Sequence, residues 1–133
     1  MCELFIGAEK DLWESRTRSF RVQNAVTSVR LENFYWSVLE EIAFRDDMSV
    51  GQLMARLQTE ALAAGHDIDN FTSFLRVCCG RYKALIAAGD LSDSLHDRVG
   101  DVDAEAILSR ERERYAETAR TVGSASERDR VDV

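Results

Sequence analysis

Four arginines in one short segment are the side chains of this sequence best suited to binding chemistry. Arg16, Arg18, Arg21 and Arg30 lie within residues 16–30, which contain no acid and carry a net charge of +4, whereas the whole chain carries −7. A guanidinium group donates hydrogen bonds in a planar fork that matches a phosphate or a guanine edge. Because salt screens charges over about 8 Å, this block can act locally. Its position keeps nucleic acid open as a ligand, although the net charge alone argues against it.

Cysteine and histidine are the other candidates for chemistry, and their spacing indicates no site. Removal of Met1 would expose Cys2 as an N-terminal nucleophile, but hydrolases of that kind need a layered α/β/α domain with many strands. Cys78 and Cys79 are adjacent and form no metal-binding spacing with each other or with His66. The sequence contains no glycine-rich phosphate loop. We therefore expect no enzymatic activity, no catalytic residue, no metal site and no cofactor.

Length and composition indicate a single small domain. The chain has 133 residues, of which 45% are hydrophobic and 31% charged, as in proteins that bury a core. No apolar run approaches the roughly 18–20 residues of a membrane span, and the N-terminus lacks the features of a secretory signal. Three cysteines are an odd number and a poor disulfide framework. These features favour a cytoplasmic protein with no membrane partner, and the absence of proline favours helix.

Three helices, called A, B and C here, are indicated by apolar side chains at the i, i+3, i+4, i+7 spacing. The apolar positions of helix A are Tyr35, Val38, Leu39 and Ile42. Asn33 is its expected cap, and Asp46 with Asp47 marks its end. Helix B begins with a capping box, Ser49 with Gln52. Its apolar positions are Leu53, Met54, Leu57 and Ala61, and it ends at Gly65.

Helix C follows the polar turn at residues 65–67, with Asp69 or Asn70 as its cap. Its apolar positions are Phe71, Phe74, Leu75, Cys78, Tyr82, Leu85 and Ile86. Gly80 within it costs about 1 kcal/mol relative to alanine, so it marks either a close packing contact or a weak point.

A short strand is indicated at residues 26–31, where β-branched side chains alternate with others. The alternation puts Thr27, Val29 and Leu31 on an inward face and Val26, Ser28 and Arg30 on the opposite face. A lone strand leaves its backbone groups unpaired, so it needs a partner, and a second copy of the chain is the economical one. Residues 1–19 are the alternative source, because residues 3–6 are strand-like. Residues 20–22 either begin the strand or form a separate extended piece broken at residues 23–24.

The remainder of the chain reads as a linker and a charged tail. Residues 89–94 are rich in Gly, Asp and Ser, residues 103–121 can form a helix, and the last dozen residues favour disorder. Ile107, Leu108 and Tyr115 give the tail a thin apolar stripe that suits docking. The expected organisation is an N-terminal arm (1–25), a core (26–64), an additional helix (65–88) and a partly disordered or helical tail (89–133).

The order strand, capped helix, tight turn and second helix resembles the ribbon-helix-helix superfamily of the Arc/MetJ/CopG type over residues 26–63. The residues that carry this resemblance are residues 27–33, Leu39, Ile42, Ala43, residues 48–50 and Leu53. Residues 1–8, 13–19 and 71–82 look like short stand-alone bacterial proteins that contain this domain. The implied fold is mainly α, with one short β-strand per chain that pairs in a dimer, plus a third helix and the tail.

The resemblance implies a DNA-binding homodimer, able to pair into a tetramer on double-stranded DNA, that acts as a bacterial transcription regulator of the repressor kind. Its ribbon would lie in the major groove. The implied base-contacting residues are Val26, Ser28 and Arg30. The implied phosphate-contacting residues are Ser49, Val50 and Gly51 at the start of helix B, together with Arg16, Arg18 and Arg21. The implied dimer core is Val29, Leu31, Tyr35, Leu39, Ile42 and Leu53. Asp47 departs from relatives in which a glycine often precedes the turn.

The net negative charge of the chain fits a second class of function. In this alternative the ribbon-helix-helix dimer is a protein-interaction module or an antitoxin, and its acidic C-terminal tail binds a protein partner. Such a tail becomes ordered only with its partner, and protease sensitivity of residues 90–133 distinguishes it from a DNA-binding regulator.

Overall fold

The computed structural model describes residues 2–67 and 69–131, and the side-chain surroundings of residues up to 125. The elements in chain order are α1 (Cys2–Ile6), α2 (Lys10–Trp13), β1 (Ser15–Val22), β2 (Ala25–Glu32), α3 (Asn33–Arg45), α4 (Val50–Ala63), α5 (Phe71–Ala87), a 3₁₀ turn (Val99–Asp101) and α6 (Ala104–Val131). The chain divides into two compact units, residues 1–100 and residues 101–133. None of the helices in the described ranges is long and apolar enough to span a membrane.

The two strands form an antiparallel hairpin within one chain. Their register runs from Ser15 opposite Glu32 to Val22 opposite Ala25. The expectation of one strand per chain is therefore wrong: residues 15–22 of the expected N-terminal arm form a second strand, which pairs with β2. A two-residue turn at residues 23–24 makes the hairpin possible, with Gln23 at a φ of 55°. The strand-like residues 3–6 lie in α1 instead.

The inward face of the hairpin packs against the helices of the same chain. Val29 and Leu31 of β2 and Phe20 of β1 are buried, as the alternation in β2 predicts. The largest fully buried side chains are Trp36, Leu31, Leu39, Met54, Leu75 and Cys79. The indole Nε1 of Trp36 donates a 2.9 Å hydrogen bond to the carbonyl of Arg16. This bond and the apolar contacts hold β1 on the helices.

Helix B is present as α4 with the predicted cap. The Ser49 hydroxyl accepts a 3.1 Å hydrogen bond from the Gln52 amide, and the Gln52 side chain accepts a 2.8 Å bond from the Ser49 amide. Helix A is present as α3, but Asn33 is its first residue rather than its cap. Glu32 of β2 occupies the cap position, and the Asn33 side chain instead donates a hydrogen bond to the carbonyl of Asp11.

Helix C is present as α5, with Asn70 at the cap position but without a side-chain cap bond. A β carbon added at Gly80 would meet nothing within 4 Å among the described residues. Gly80 is therefore a weak point of the helix and not a packing contact within the chain.

A buried polar cluster joins α3 to α5. The guanidinium of Arg45, which is 3% exposed, donates to the Tyr82 hydroxyl at 3.1 Å and to the carbonyl of Asp97 at 2.8 Å. The Tyr82 hydroxyl in turn donates to Glu41. Burial, and then this bond to Glu41, raises the pKa of Tyr82. The cluster fixes the end of α3 and therefore the turn that leads into α4.

The second unit contains the long charged helix α6. The helix continues through Val131, beyond residue 121 and into the segment for which the sequence favoured disorder. Glu and Arg alternate along it, and pairs such as Glu111 with Arg114 and Glu117 with Arg120 have the i, i+3 spacing that supports an exposed helix. Residues 132–133 of the expected tail lie outside the described residues.

Candidate nucleic-acid interface

The hairpin presents six side chains on the face turned away from the helices. These side chains form three cross-strand pairs, Thr17 with Arg30, Ser19 with Ser28 and Arg21 with Val26. All six are exposed strand positions that alternate with inward ones, and none is acidic. We call these six residues the outward face. It contains the three residues expected to contact bases, Val26, Ser28 and Arg30, on one side of β2.

The chemistry of the outward face is that of a hydrogen-bonding surface with two cations. The hydroxyl oxygens of Ser19 and Ser28 are 2.7 Å apart, so their side chains meet across the ribbon. Arg21 and Arg30 make no ion pair or hydrogen bond with any residue that the structure describes, and both are exposed. Val26 is 64% exposed, so its methyl groups are available for an apolar contact.

Arg16 and Arg18, which were expected to contact phosphate together with Arg21, lie on the other face of β1. Arg18 forms an ion pair with Glu40 of α3 at 3.2 Å, and Arg16 approaches the same carboxylate at 3.9 Å. The Arg18 guanidinium also lies 5.2 Å from the centre of the Trp36 ring. These two arginines are thus the partners of an acid on helix A, whereas Arg21 belongs to the outward face.

Sequence reasoning missed Thr17 and Ser19 as members of this surface. Their signal is the alternation in residues 17–22, where Ser19 and Arg21 flank the buried Phe20. That signal is weak because Arg16 and Arg18 take the inward positions that an apolar pattern would fill. Ion pairing and ring contact, rather than apolar burial, cover this end of β1.

The start of α4 lies against the inward side of β1. A β carbon on Gly51 would come 3.7 Å from the Cβ of Phe20, an ordinary contact. Ser49 is exposed, Val50 is buried and Gly51 is half-exposed. The amides of Val50 and Gly51 belong to the first turn, where helix geometry provides no backbone acceptor. The helix dipole therefore adds to the positive potential at this point.

The two acids before α4 differ in how far their charge is compensated. The Asp46 carboxylate accepts hydrogen bonds from the amides of Val99, at 2.7 Å, and Gly100, at 3.1 Å. Asp47 is exposed, has a φ of 54° and reaches Arg98 at 3.4 Å. Asp47 is consequently the acid that presents its charge to solvent beside the start of α4.

An ion pair with α5 holds the C-terminal end of β2. The Arg76 guanidinium of α5 donates two hydrogen bonds to the Glu32 carboxylate, at 2.8 and 3.0 Å. These bonds hold the pKa of Glu32 below its usual range and raise that of Arg76. The Arg76 guanidinium thus compensates the negative charge of Glu32, the one acid in β2.

The residues expected to form a dimer core lie in the core of one chain. Val29, Leu31, Leu39 and Leu53 are buried, and Leu31 and Leu39 are 0% exposed. Tyr35 and Ile42 are half-buried. The burial of the four aliphatic residues needs no second copy.

The cysteines offer no reactive group at this surface. Burial raises the pKa of Cys79 to about 12 and also raises that of Cys78, so both thiols stay protonated at neutral pH. Cys2 is exposed on α1. No group of three or more His, Cys, Asp or Glu side chains in the described part of the chain could hold a metal ion.

Comparison with known proteins gives two matches to this architecture. A family model described as ribbon-helix-helix domain matches residues 15–83, which begin at the first residue of β1 and end in α5. Among solved structures, an uncharacterized protein from Bordetella pertussis Tohama I is similar, with a TM-score of 0.75 and 46% sequence identity. That match covers 81% of this chain and 86% of the other. No curated protein matches the chain.

Proposed function

This chain belongs to the ribbon-helix-helix domain family, and we propose that it is a DNA-binding transcription regulator of the repressor kind whose hairpin lies in the major groove. The observation that carries the proposal is the outward face, on which Arg30 projects without a partner among the described residues, while the nearest acid along β2, Glu32, is paired with Arg76. A major groove about 12 Å wide accepts a two-stranded ribbon, whose strands are about 4.8 Å apart. Sequence-specific recognition would come from Val26, Ser28 and Arg30.

Each of these side chains suits a different feature of a base edge. The Arg30 guanidinium can donate two hydrogen bonds to O6 and N7 of guanine, a contact worth about 1–3 kcal/mol of discrimination. Ser28 can donate or accept a hydrogen bond, and the exposed Val26 can contact a thymine methyl group. Val29 and Leu31 pack inward and fix the position of β2. The directions of the base-contacting side chains on the opposite face are therefore set before DNA binds.

The start of α4 would anchor the DNA backbone. The free first-turn amides of Val50 and Gly51, with the helix dipole, favour a phosphate beside Ser49. The capping box supports this arrangement, because it fixes the first turn by hydrogen bonds of its own. The pairing of Asp46 with two amides reduces the repulsion that its charge would exert on a phosphate.

A homodimer is part of this proposal, and an apolar surface near the N-terminus supports it. The surface consists of exposed large apolar residues, Leu4, Phe5, Ile6, Leu12, Trp13 and Phe34, of which the first three are 70–81% exposed. These exposed fractions leave the side chains available for burial against a second copy.

Three residues of the N-terminal apolar surface, Leu12, Trp13 and Phe34, line a cavity. A pocket of about 360 Å³ is lined by Ala8, Leu12, Trp13, Glu32, Phe34, Tyr35 and Arg76. An isologous contact between two copies requires a surface that is complementary to itself, and projecting apolar side chains beside an apolar pocket provide this. Helix α1 buries none of its five residues in its own chain, and isolated helices so short are unstable in water. A second copy is therefore its proposed partner.

The test is the loss of sequence discrimination on replacing Arg30. The Arg30→Ala variant should lose affinity for a selected site by about 5- to 150-fold, the equivalent of the discrimination given above, and lose much less affinity for unrelated DNA. Arg112→Ala, at an exposed position of α6, is the control with the same charge change. Equal losses on both DNAs for Arg30→Ala would contradict base reading.

A second function is favoured by a separate observation on α6. Leu108, Tyr115 and Val122 recur at a seven-residue interval and are 38–78% exposed, which gives this charged helix an apolar stripe. An interaction module or antitoxin would bind a protein partner along this stripe. In that case Leu108→Ser with Tyr115→Ser abolishes co-purification of the partner and restores protease cleavage after residue 100, while DNA affinity stays unchanged. Loss of DNA affinity in this variant would argue against a separate role for the tail.

A further inference from the structure

We propose that β1 is the second reading strand of this protein, so that Thr17, Ser19 and Arg21 contact bases together with Val26, Ser28 and Arg30. The inference rests on the proposed DNA-binding function and adds three residues to its site. It also means that a single chain carries a complete two-stranded reading surface.

The register of the hairpin places the three added residues on the same face as the expected base-contacting residues. Each of the three added residues is directly opposite one of the expected base-contacting residues, and directly opposite residues of an antiparallel pair point to the same face. The residue between Ser19 and Arg21, Phe20, is buried on the inward face. The side chains of Ser19 and Arg21 therefore cannot turn inward without exposing Phe20, since a one-residue shift exchanges the faces of a strand.

The contact between the strands gives the second argument. The Ser19 and Ser28 hydroxyl oxygens are 2.7 Å apart at the middle of the ribbon. A base edge that approaches Ser28 therefore also approaches Ser19. The two hydroxyls can donate and accept together, which suits the paired donor and acceptor groups of a base pair in the major groove.

The placement of charge gives the third argument. Arg21 and Arg30 stand on different strands, on either side of the serine pair along the ribbon, and each faces a neutral residue across it. Neither has a partner among the described residues. In contrast, Arg16 and Arg18 on the other face of β1 are both held near Glu40. The chain thus compensates its inward arginines and leaves the outward ones available.

The inward side chains of both strands are packed against helices of the same chain. Phe20 of β1 and Val29 and Leu31 of β2 are all buried by helices of the same chain. A ribbon with one strand from each of two chains presents the same residues twice. This ribbon presents Thr17, Ser19 and Arg21 on one strand and a different set on the other, so its DNA subsite has no internal two-fold symmetry.

A disulfide trap tests whether both strands come from one chain. Ser19→Cys with Ser28→Cys, in a background of Cys2→Ser and Cys78→Ser, places two thiols where the native hydroxyls touch. After oxidation at low protein concentration, non-reducing electrophoresis should show one chain with an internal disulfide. Each single variant is the control. A disulfide-linked pair of chains in the double variant, or no disulfide at all, would overturn the proposal.

Base preference tests whether β1 reads DNA. Wild-type protein is first used to select its site from random DNA, and the recovered subsite should lack internal symmetry. Arg21→Ala and Ser19→Ala should each lower affinity for the selected site, about tenfold for Arg21→Ala, while affinity for scrambled DNA falls no further than in Arg112→Ala. Equal losses on selected and scrambled DNA would show phosphate contact only and overturn the proposal. Failure of the wild type to enrich any site would instead contradict the DNA-binding function, and the disulfide trap would still report on the ribbon.

Discussion

At the residue scale, Asp47 is the position where local backbone geometry and DNA binding are in direct conflict. Its φ of 54° lies in the left-handed region, which costs an L-residue with a β carbon free energy that glycine does not lose. Its carboxylate is also exposed next to the start of α4. Glycine at this position would avoid the backbone cost, whereas Asp47 carries both that cost and a negative charge that repels phosphate.

Replacing Asp47 with glycine should consequently improve both properties. Asp47→Gly is expected to raise the free energy of unfolding by about 0.5–1 kcal/mol and to raise DNA affinity several-fold at low salt. Asp47→Asn is the matched control, because it removes the charge but keeps a β carbon, so it should raise affinity with a smaller change in stability. Urea unfolding and fluorescence anisotropy measure the two effects. A less stable glycine variant would show that the ion pair with Arg98 outweighs the backbone strain.

At the element scale, the end of β2 is held to α5 by the Arg76 and Glu32 pair. The pKa of Glu32 is lowered from its ordinary 4.5, first by the hydrogen bonds from Arg76. A lowered pKa in the folded state means that the pair stabilises the fold above the ordinary carboxyl pKa and that this contribution is lost as pH falls through the folded value. Both side chains are about one-third exposed, so solvent moderates the effect.

Acid should therefore weaken the hairpin's attachment to α5. The wild type is expected to lose stability between about pH 5 and about pH 3, and Glu32→Gln should lose less over the same interval because its amide does not titrate there. The urea midpoint measured at both pH values for both proteins gives the comparison. Glu40→Gln is the control, since the carboxylate of Glu40 also pairs with arginine but is more exposed. Identical pH dependence of wild type and Glu32→Gln would contradict the role of this pair.

Gly80 gives a second prediction at the scale of elements. Because open space surrounds the position of its missing β carbon, Gly80→Ala should stabilise α5 by about 1 kcal/mol through helix propensity alone. Thermal or urea unfolding measures this gain. Destabilisation together with a change in oligomeric state would show that this face of α5 is covered by a second copy.

The sequence predicts those elements whose apolar side chains keep one period throughout. The three helices follow from such positions, and the Ser49 and Gln52 cap was predicted to the residue. The faces of β2 were predicted because Val29 and Leu31 alternate with Ser28 and Arg30. The outcome differs for β1, since Arg18 contacts both Glu40 and Trp36 and Arg16 approaches Glu40, and no local pattern reveals a distant carboxylate or ring.

For the same reason, the sequence indicates only one of the two strands that carry the candidate site. Val26, Ser28 and Arg30 follow from one strand, but their neighbours across the ribbon depend on which segment pairs with that strand. Pairing is a property of tertiary structure: the alternation in β2 is equally compatible with a partner in the same chain and with a partner in a second copy.

At the scale of the whole molecule, both strands of the hairpin come from one chain, and the N-terminal apolar surface is the dimer interface that we propose. Phe5→Ser with Ile6→Ser should shift the protein toward monomer and lower affinity for a two-site DNA, because two linked contacts become one. Leu62→Ser, at an exposed apolar position of α4, is the control. Sedimentation equilibrium reports the mass. An unchanged dimer in the double variant would exclude the N-terminal apolar surface as its interface.

The most direct test of the central claim, that the hairpin reads DNA, is selection of bound fragments from random double-stranded DNA. The affinity for the recovered sequence is then measured by fluorescence anisotropy at several salt concentrations. If the hairpin reads DNA, the selection enriches a defined site, affinity falls steeply with salt as phosphate contacts release counterions, and Arg30→Ala loses the preference for that site. No enrichment, with only weak binding at about 50 mM salt, would contradict it.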